Sequence, residues 1–266
     1  MDKVPAKTGP IEDDETPVEI VNPDGSIPLL IICDHASNRV PAALNDLGLS
    51  AAELNRHIGW DIGAAAVARK LADALDATAV LARTSRLVID PNRDPNDPTS
   101  IPEISDRVHI PANCDLSADE RARRVKAYFH PYHDAIEAQL DRLTLHCAAP
   151  AIFSVHSFTP EMPGEDRPWH IGVLWNKDPR MAQPMIESLR AHAGGLVVGD
   201  NQPYSGQLVA YSLNRHGGSK GLPHCAVEIR QDLVANDKAA DHWASVLEPA
   251  LRAILESPGL HRVQYY

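Results

Sequence analysis

The feature that most constrains this chain is an apolar run, Leu29–Cys33, that stops abruptly at the polar residues Asp34 and His35. A short run rich in Ile and Leu is typical of a strand buried on both faces of a sheet. In open α/β sheets, catalytic groups and ligands collect just beyond the carboxyl ends of such strands. The run therefore predicts a central strand that carries His35 to a functional edge, although a hydrogen-bonded structural histidine fits the same position.

Segments with strand and helix patterns alternate along the rest of the chain. The predicted strands are 78–81, 149–155, 170–175, 196–198 and 222–229, and the predicted helices are 51–57, 64–75, 118–145 with a bend at Pro131, 179–193, 207–215 and 238–255. Ser50 with Glu53, and Ser117 with Glu120, have the spacing of capping boxes at two helix starts. This alternation predicts an α/β fold with a mixed, mostly parallel sheet and helices on both faces.

The charge balance limits the partners of the protein. The formal net charge is −11 at pH 7, which argues against nucleic acid and against an anionic membrane surface. No apolar stretch approaches the roughly 20 residues that span a bilayer. Residues 1–16 are polar and predict a mobile N-terminal arm rather than a signal peptide, with residues 17–266 as one catalytic domain.

The four cysteines are far apart in sequence and form no CxxC pair. They therefore indicate neither a disulfide framework nor a thiolate zinc site, and a cytoplasmic protein with reduced thiols is expected. Residues 83–115 differ from the rest of the chain because they are rich in proline, which excludes long helices and central strands. The segment also holds Arg83, Arg86, Arg93 and Arg107, and a loop of this length is typical of a functional element.

Three residues at predicted strand exits or helix starts form a candidate metal-ligand set: His35, Asp61 and His156. Two imidazoles and one carboxylate are a common protein ligand set for catalytic zinc, with a fourth position left for water. Glu228 is a second candidate, because it interrupts an apolar strand where a carboxylate is costly to bury. It could serve as a general base that takes a proton from water, or it could form a salt bridge with Arg230 or another arginine.

Five motifs in the same order resemble the N-formylglutamate amidohydrolase family, namely residues 34–41, 59–63, 85–93, 154–159 and 226–230. The resemblance extends from about residue 17 to residue 256. It implies a zinc-exopeptidase-like fold, since this family is similar to zinc carboxypeptidases and zinc amidases. By the same resemblance, His35, Asp61 and His156 hold Zn²⁺ or another divalent metal, and Glu228 is the catalytic base.

The position of the acidic ligand departs from the carboxypeptidase pattern. Those enzymes place it about three residues after the first histidine, which here is Asn38, a poor zinc ligand. The related amidases place it at the start of a helix, which suits Asp61. Asp61 is therefore the preferred ligand, with Asn38 and His57 as substitutes.

The substrate that the family resemblance implies, N-formylglutamate, is a small anion with two carboxylates. Planar guanidinium groups bind carboxylates through paired hydrogen bonds. Arg86 and Arg93 lie in a resembling motif and are the leading candidates for this role. The remaining predicted substrate contacts are Arg215, Asn38 and Tyr204.

The predicted activity is metal-assisted hydrolysis of a small N-acyl amino acid, with formate and glutamate as the products of N-formylglutamate. Three alternatives stay open at this point. The scaffold could act on another acyl amino acid or a peptidoglycan fragment, or it could bind a ligand without catalysis. Cys33 could also act as a nucleophile, although its predicted position inside a strand makes it a buried apolar residue.

Overall fold

A seven-stranded sheet forms the centre of the molecule in the computed structural model, which describes residues 16–162, 164–192 and 194–266. Its strands are, in chain order, β1 (Val18–Val21), β2 (Leu29–Cys33), β3 (Thr78–Ala82), β4 (Ala151–Phe158), β5 (Ile171–Leu174), β6 (Val198–Asp200) and β7 (His224–Arg230). Across the sheet they follow the order β1-β3-β2-β4-β7-β5-β6. The most apolar strands lie inside: β2 and β3 are buried along their whole length.

Four of the six strand pairings are parallel, and they include the three central ones, β3–β2, β2–β4 and β4–β7. The pairings β1–β3 and β7–β5 are antiparallel. The prediction of a mixed, mostly parallel sheet is therefore confirmed. Because β2, β4 and β7 are adjacent and parallel, their carboxyl ends meet at one edge of the sheet.

Helices cover both faces of the sheet, as predicted. They are α1 (Ala51–Leu54), α2 (Ala64–Leu75), α3 (Ala118–Arg124), α4 (His130–Thr144), α5 (Pro179–Ala191), α6 (Gly206–Val209), α7 (Tyr211–His216) and α8 (Asp237–Leu255). Helices α2, α5 and α8 pack on one face through a large apolar core, and α4 and α7 pack on the other. Among the described residues, no helix has both the length and the apolar character needed to cross a bilayer.

Several predicted boundaries change for local physical reasons. The helix predicted over 118–145 is interrupted by one wide π-helical turn, Val125–Phe129. Pro131 follows this turn and has no N–H to donate, so the turn accommodates the missing backbone bond. The helix predicted over 207–215 divides at Ala210, whose backbone is not helical. Ser50 and Glu53 form the predicted capping box.

The second predicted capping box forms only in part. The Ser117 hydroxyl accepts from the Glu120 N–H, but the Glu120 carboxylate turns to Arg123 and Arg124 instead of returning to the helix start. The proline-rich segment 83–115 consists of short turns and one two-residue ladder. The fully buried Arg124 anchors it by donating to the Val88 carbonyl and to Asn113.

The predicted N-terminal arm, residues 1–16, lies outside the described residues except for residue 16. The assignment of residues 17–266 to one catalytic domain stays a prediction.

Candidate active site

The predicted metal ligands come from three parts of the fold. His35 follows β2 by two residues, and Asp61 lies just before Gly63, the residue that precedes α2. His156 lies inside β4, which runs on to Phe158, so the expectation that it stands past the strand end is wrong. The strand continues because Ser157 and Phe158 pair with the end of β7. His156 nevertheless faces the same buried space as the other two residues.

The three side chains meet at the Asp61 carboxylate. Asp61 Oδ2 lies 3.2 Å from His35 Nδ1 and 2.8 Å from His156 Nδ1. All three residues are buried, and one ligand atom from each lies within 4.8 Å of the others. The structure therefore brings together the three residues that the sequence singled out. Two imidazole nitrogens and a carboxylate oxygen in one small volume are a donor set that could hold a metal ion.

Further carboxylates hold the outer nitrogen of each histidine. Asp90 Oδ1 lies 2.8 Å from His35 Nε2, and Asp34 Oδ2 lies 3.1 Å from His156 Nε2. Asp34 is fixed in turn by the hydroxyls of Tyr132 and Ser212. Metal-binding histidines characteristically donate their second N–H to such a carboxylate, which fixes the tautomer and the ring orientation. The outer carboxylates thus fit a metal site whose ligand atoms are the two Nδ1 nitrogens.

The charge of the cluster also fits a cation. Burial raises the pKa of Asp61, but the two histidines lower it by more, so that Asp61 is ionised. Burial lowers the pKa of His156, but its hydrogen bonds with Asp34 and Asp61 raise it well above the ordinary value. A divalent cation between these donors would take over the neutralising role of the imidazole protons, which metal binding releases.

Glu228 lies beside this cluster and has an unused oxygen. It is the register neighbour of His156 across β7 and β4 and is only 7% exposed. Among the described residues, no group hydrogen-bonds to Glu228 Oε2. Arg230 pairs with Asp232 instead, so the predicted salt bridge between Glu228 and Arg230 is absent from the described structure. Burial raises the pKa of Glu228 to about 7, which is suited to a group that exchanges protons near neutral pH.

Gly172 allows the chain to close over the site next to Glu228. It is the β5 neighbour of Glu228, and a Cβ atom at this position would lie 1.8 Å from the Gln202 carbonyl oxygen. The loop that leads to Tyr204 therefore passes directly over the sheet here. Only a residue without a side chain permits this approach.

We expect Gly172→Ala to displace this loop and to destabilise the protein by roughly 1–3 kcal/mol, the usual cost of overpacking. Activity should fall as well, because Tyr204 and Glu228 lose their relative position. Urea unfolding and steady-state kinetics measure the two effects. Gly218→Ala is the matched control, since its Cβ would meet nothing nearer than 3.7 Å. Wild-type stability in Gly172→Ala would show that the loop does not depend on this contact.

A cavity of about 540 Å³ opens above the cluster. His35, Asp61, His156 and Glu228 line one part of it, and the predicted substrate contacts Arg86, Arg93 and Tyr204 line it as well. These residues come from different elements, so the cavity forms only when these elements pack together.

Two of these cavity residues are arginines that also contact the carboxylates of the site. Arg86 donates to Asp61 Oδ1 at 3.3 Å and to Asp90 Oδ2 at 3.0 Å. Arg93 lies 3.4 Å from Asp90 and keeps 42% of its side chain exposed. Both guanidinium groups therefore reach the cavity, and each is paired there with Asp90.

Tyr204 presents a phenol held by Arg167. Arg167 Nη1 donates to Tyr204 Oη at 3.1 Å, and the guanidinium lies 5.1 Å from the ring centroid. The hydroxyl oxygen of Tyr204 is thus occupied as an acceptor, which directs its own proton elsewhere. Burial raises the pKa of Tyr204, so that the phenol keeps this proton. Arg167 was not predicted from the sequence, because it follows none of the predicted strands and belongs to none of the recognised motifs.

The structure does not bring the other predicted contacts to the cavity. Asn38 donates to the Asn55 side chain, and Arg215 contacts the Tyr211 hydroxyl and faces Glu137. Neither of them is among the described residues that line the cavity. Asn38 and Arg215 occupy positions where neighbouring polar groups already satisfy them. His57, the substitute ligand, lines the cavity but stays outside the cluster around Asp61.

Cys33 is fully buried inside β2. Burial raises the pKa of its thiol well above the ordinary value, so the reactive thiolate is not formed. This disfavours the nucleophilic alternative.

A buried pair of histidines behind the site was also missed from the sequence. His133 Nδ1 lies 2.7 Å from His216 Nε2, and His133 Nε2 lies 3.0 Å from the Pro91 carbonyl. Since a carbonyl only accepts, His133 carries its proton on Nε2, and its Nδ1 accepts from His216. The pair supports the turn that follows Asp90, and the Ser212 hydroxyl contacts both the Pro91 carbonyl and Asp34.

This pair should make stability depend on pH. Burial lowers the pKa of His133 to about 4 and that of His216 to about 3. In the unfolded chain both titrate near 6.5, so below that pH the unfolded state binds more protons, and stability falls as the pH drops toward 4. The expected slope is up to about 1.4 kcal/mol per pH unit for each histidine.

Urea unfolding between pH 6.5 and 5 would measure this slope in the wild type and in a His133→Gln, His216→Gln double variant. The double variant should show a flatter dependence, whatever its absolute stability. His242→Gln, at an exposed position, is the control and should keep the wild-type slope. Equal slopes in all three proteins would contradict the prediction.

The mixed α/β fold and the cluster of two histidines, an aspartate and a neighbouring glutamate define the chain as a hydrolase with a candidate metal centre. Residues 27–235 match the family model of N-formylglutamate amidohydrolase. The chain belongs to this family and is therefore an amidohydrolase.

Two solved structures share the fold of this chain. A gene product of Agrobacterium tumefaciens is 35% identical, with a TM-score of 0.87 over 92% of this chain and 96% of that one. The N-formylglutamate amidohydrolase of Ralstonia eutropha is 21% identical, with a TM-score of 0.66 over 91% of this chain and 97% of that one, and it shares the fold. No curated protein matches the chain.

Proposed function

We propose that the protein is a zinc-dependent amidohydrolase that cleaves the acyl C–N bond of N-formyl-L-glutamate to give formate and L-glutamate. The observation that carries this proposal is the position of Glu228. It has a raised pKa and an unpartnered oxygen next to a donor set of the size and chemistry of a zinc site. Membership of the family and the name of the Ralstonia eutropha protein support the choice of substrate.

His35, Asp61 and His156 would hold the zinc ion, with Asp90 and Asp34 orienting the two imidazoles. A zinc ion bound there lowers the pKa of water to about 7 and polarises the amide carbonyl. Side chains of the cavity carry out proton transfer and bind the substrate.

Glu228 acts as the general base. It removes a proton from water as the oxygen attacks the formyl carbon, and it delivers that proton to the nitrogen as the C–N bond breaks. The Tyr204 hydroxyl, whose oxygen already accepts from Arg167, can donate to the oxygen that gains charge in the transition state. Its raised pKa keeps that donor proton in place.

Arg86 and Arg93 bind the small anionic substrate. Guanidinium groups bind carboxylates through paired, charge-assisted hydrogen bonds, and N-formylglutamate has two carboxylates. Arg93 is the more exposed of the two, so it can turn toward the substrate with little loss of existing contacts.

Formate release from N-formylglutamate tests the proposal directly. We expect activity in the zinc-loaded enzyme, a loss of at least about 100-fold after chelation, and recovery on addition of zinc. N-formylglutamine, which lacks the side-chain carboxylate, is the matched substrate. Its kcat/KM should be about 10- to 100-fold lower, which corresponds to one lost charge-assisted contact.

Two results would contradict the proposal. Full activity in metal-free enzyme would exclude the metal-dependent mechanism. Absence of hydrolysis in the zinc-loaded enzyme, together with binding of N-formylglutamate, would point to a binding protein on the same scaffold.

A further inference from the structure

Helix α7 begins beside the candidate metal centre, and a residue from a distant segment caps its start. The N-cap residue, Ala210, has no polar side-chain atom, so the first N–H groups of the helix need another partner. Asn92, in the proline-rich segment, accepts from the Ser212 N–H at 3.0 Å and donates to the Val209 carbonyl at 3.0 Å. The Asn92 amide therefore spans the break between α6 and α7 and fixes Ser212, which is fully buried.

Asn92 and Ser212 also contact the outer carboxylates that hold the two histidines. The Asn92 N–H donates to Asp90 Oδ1 at 2.9 Å, and the same oxygen lies 2.8 Å from His35 Nε2. The Ser212 hydroxyl donates to Asp34 Oδ1 at 2.6 Å, a distance typical of a charge-assisted hydrogen bond. The other oxygen of this carboxylate lies 3.1 Å from Nε2 of the second histidine. Asn92 and Ser212 thus connect the two outer carboxylates to each other.

These contacts close a ring around the two histidines. On the inner side, Asp61 lies within hydrogen-bond distance of Nδ1 of both imidazoles. On the outer side, the bond between Asn92 and Ser212 joins the two carboxylates that hold the Nε2 atoms. Each imidazole is therefore held at both of its nitrogens. Because ligands must stay within about 0.5 Å of the productive geometry, the relative placement of the two imidazoles affects metal affinity.

Other side chains also hold the outer carboxylates, but they act differently. Tyr132 donates to Asp34, and Arg86 donates to Asp90. Each of these bonds keeps one outer carboxylate in place without relating it to the other. The bond between Asn92 and the Ser212 N–H relates the two carboxylates, so its loss should change the angle and spacing between the imidazoles.

We propose that Asn92 and Ser212 act together as positioning residues, which fix the two imidazoles, through the outer carboxylates, in the relative placement that a metal ion requires. This inference rests on the proposed function, because it takes His35 and His156 as metal ligands. In the described structure, neither the Asn92 side chain nor the Ser212 hydroxyl hydrogen-bonds to a member of the ligand set. Both residues act through the outer carboxylates and take no part in proton transfer.

The zinc affinity of the metal-free enzyme, measured by competition with a chromophoric chelator, tests the inference without turnover. We expect Asn92→Ala and Ser212→Ala each to weaken zinc binding by about 10-fold, the lower end of the effect of residues that support a metal ligand. The double variant should also lose only about 10-fold, because either substitution alone already breaks the same connection. Two independent effects would instead multiply to about 100-fold.

Two controls distinguish positioning of the ligands from a general loss of stability, which urea unfolding of the metal-free proteins measures. Asn113 is a buried amide of the same proline-rich segment, and it donates to the Leu87 carbonyl and accepts from Arg124. Asn113→Ala should destabilise the fold and leave zinc affinity unchanged. Ser212→Thr keeps the hydroxyl but adds a methyl group at a fully buried position, so it should lose stability and still bind zinc as tightly as the wild type.

The inference and the proposed function fail in different ways. Wild-type zinc affinity in Asn92→Ala and Ser212→Ala, multiplied losses in the double variant, or an equal loss in Asn113→Ala would overturn the inference and leave the proposed function intact. Weak zinc binding by Ser212→Thr would have the same consequence, since its hydroxyl is retained. If the wild-type enzyme binds no zinc, the metal centre of the proposed function is overturned and the inference with it.

Discussion

Glu228→Gln is expected to lower kcat by about 10²- to 10⁴-fold, the range that a positioned general base contributes. The substitution preserves the size of the side chain and removes only its ability to take a proton. Because Glu228 does not belong to the metal-ligand set, zinc content should stay at the wild-type level. Steady-state kinetics with N-formylglutamate and metal analysis of the same preparations measure the two quantities.

The same substitution should stabilise the metal-free protein above neutral pH. Burial raises the pKa of Glu228 to about 7, so between pH 4.5 and 7 the folded state holds a proton that the unfolded state has released. Stability therefore falls as the pH rises through this window, and the loss is complete above about pH 7. Glutamine has no such loss, and a gain of roughly 1–3 kcal/mol at pH 8 follows.

Asp232→Asn is the control, since this carboxylate lies just beyond β7 and pairs with Arg230 at the surface. It should change neither kcat nor the pH dependence of stability by a comparable amount. Wild-type kcat in Glu228→Gln would exclude this residue as the base. A large loss of zinc would instead show that Glu228 supports the metal site.

Much of this site could be predicted because its polar residues interrupt or end apolar stretches of sequence. A carboxylate inside the apolar strand around Glu228 is costly, and only a function or an ion pair compensates for that cost. The apolar run Leu29–Cys33 required a buried strand, and its abrupt polar end marked His35. Such signals depend on a few consecutive residues, so they can be recognised without knowledge of the tertiary structure.

The supporting residues could not be predicted in the same way. Asp90 reaches His35 from the proline-rich segment, where no periodicity indicates which face a side chain occupies. The His133–His216 pair joins two helices 83 positions apart in sequence, and each histidine alone fits an ordinary helix. Arg215 was predicted from its charge and its place in the turn at 214–218, whereas in the structure it contacts Tyr211 and Glu137. These outcomes depend on packing between distant elements rather than on local pattern.

Asp61→Asn is expected to abolish high-affinity metal binding. Among the described residues, Asp61 is the one whose carboxylate lies within hydrogen-bond distance of ring nitrogens of both cluster histidines, and it is the one carboxylate of the three-residue ligand set. An amide oxygen is a much weaker zinc ligand than a carboxylate, and even residues that only support a metal ligand change affinity by about 10- to 100-fold. We therefore expect a loss of more than about 100-fold in zinc affinity, measured by competition with a chromophoric chelator, and a comparable loss of activity.

The free energy of unfolding distinguishes a specific loss of metal binding from general destabilisation of the fold. Asp61 also accepts from Arg86, and removal of one partner of a buried ion pair costs roughly 3–5 kcal/mol. Asp178→Asn is the matched control, because Asp178 is a 4% exposed carboxylate paired with Arg180 in a different part of the fold. Asp178→Asn should lose stability yet keep its zinc, whereas Asp61→Asn should lose both. Retention of full zinc affinity by Asp61→Asn would exclude Asp61 as a metal ligand.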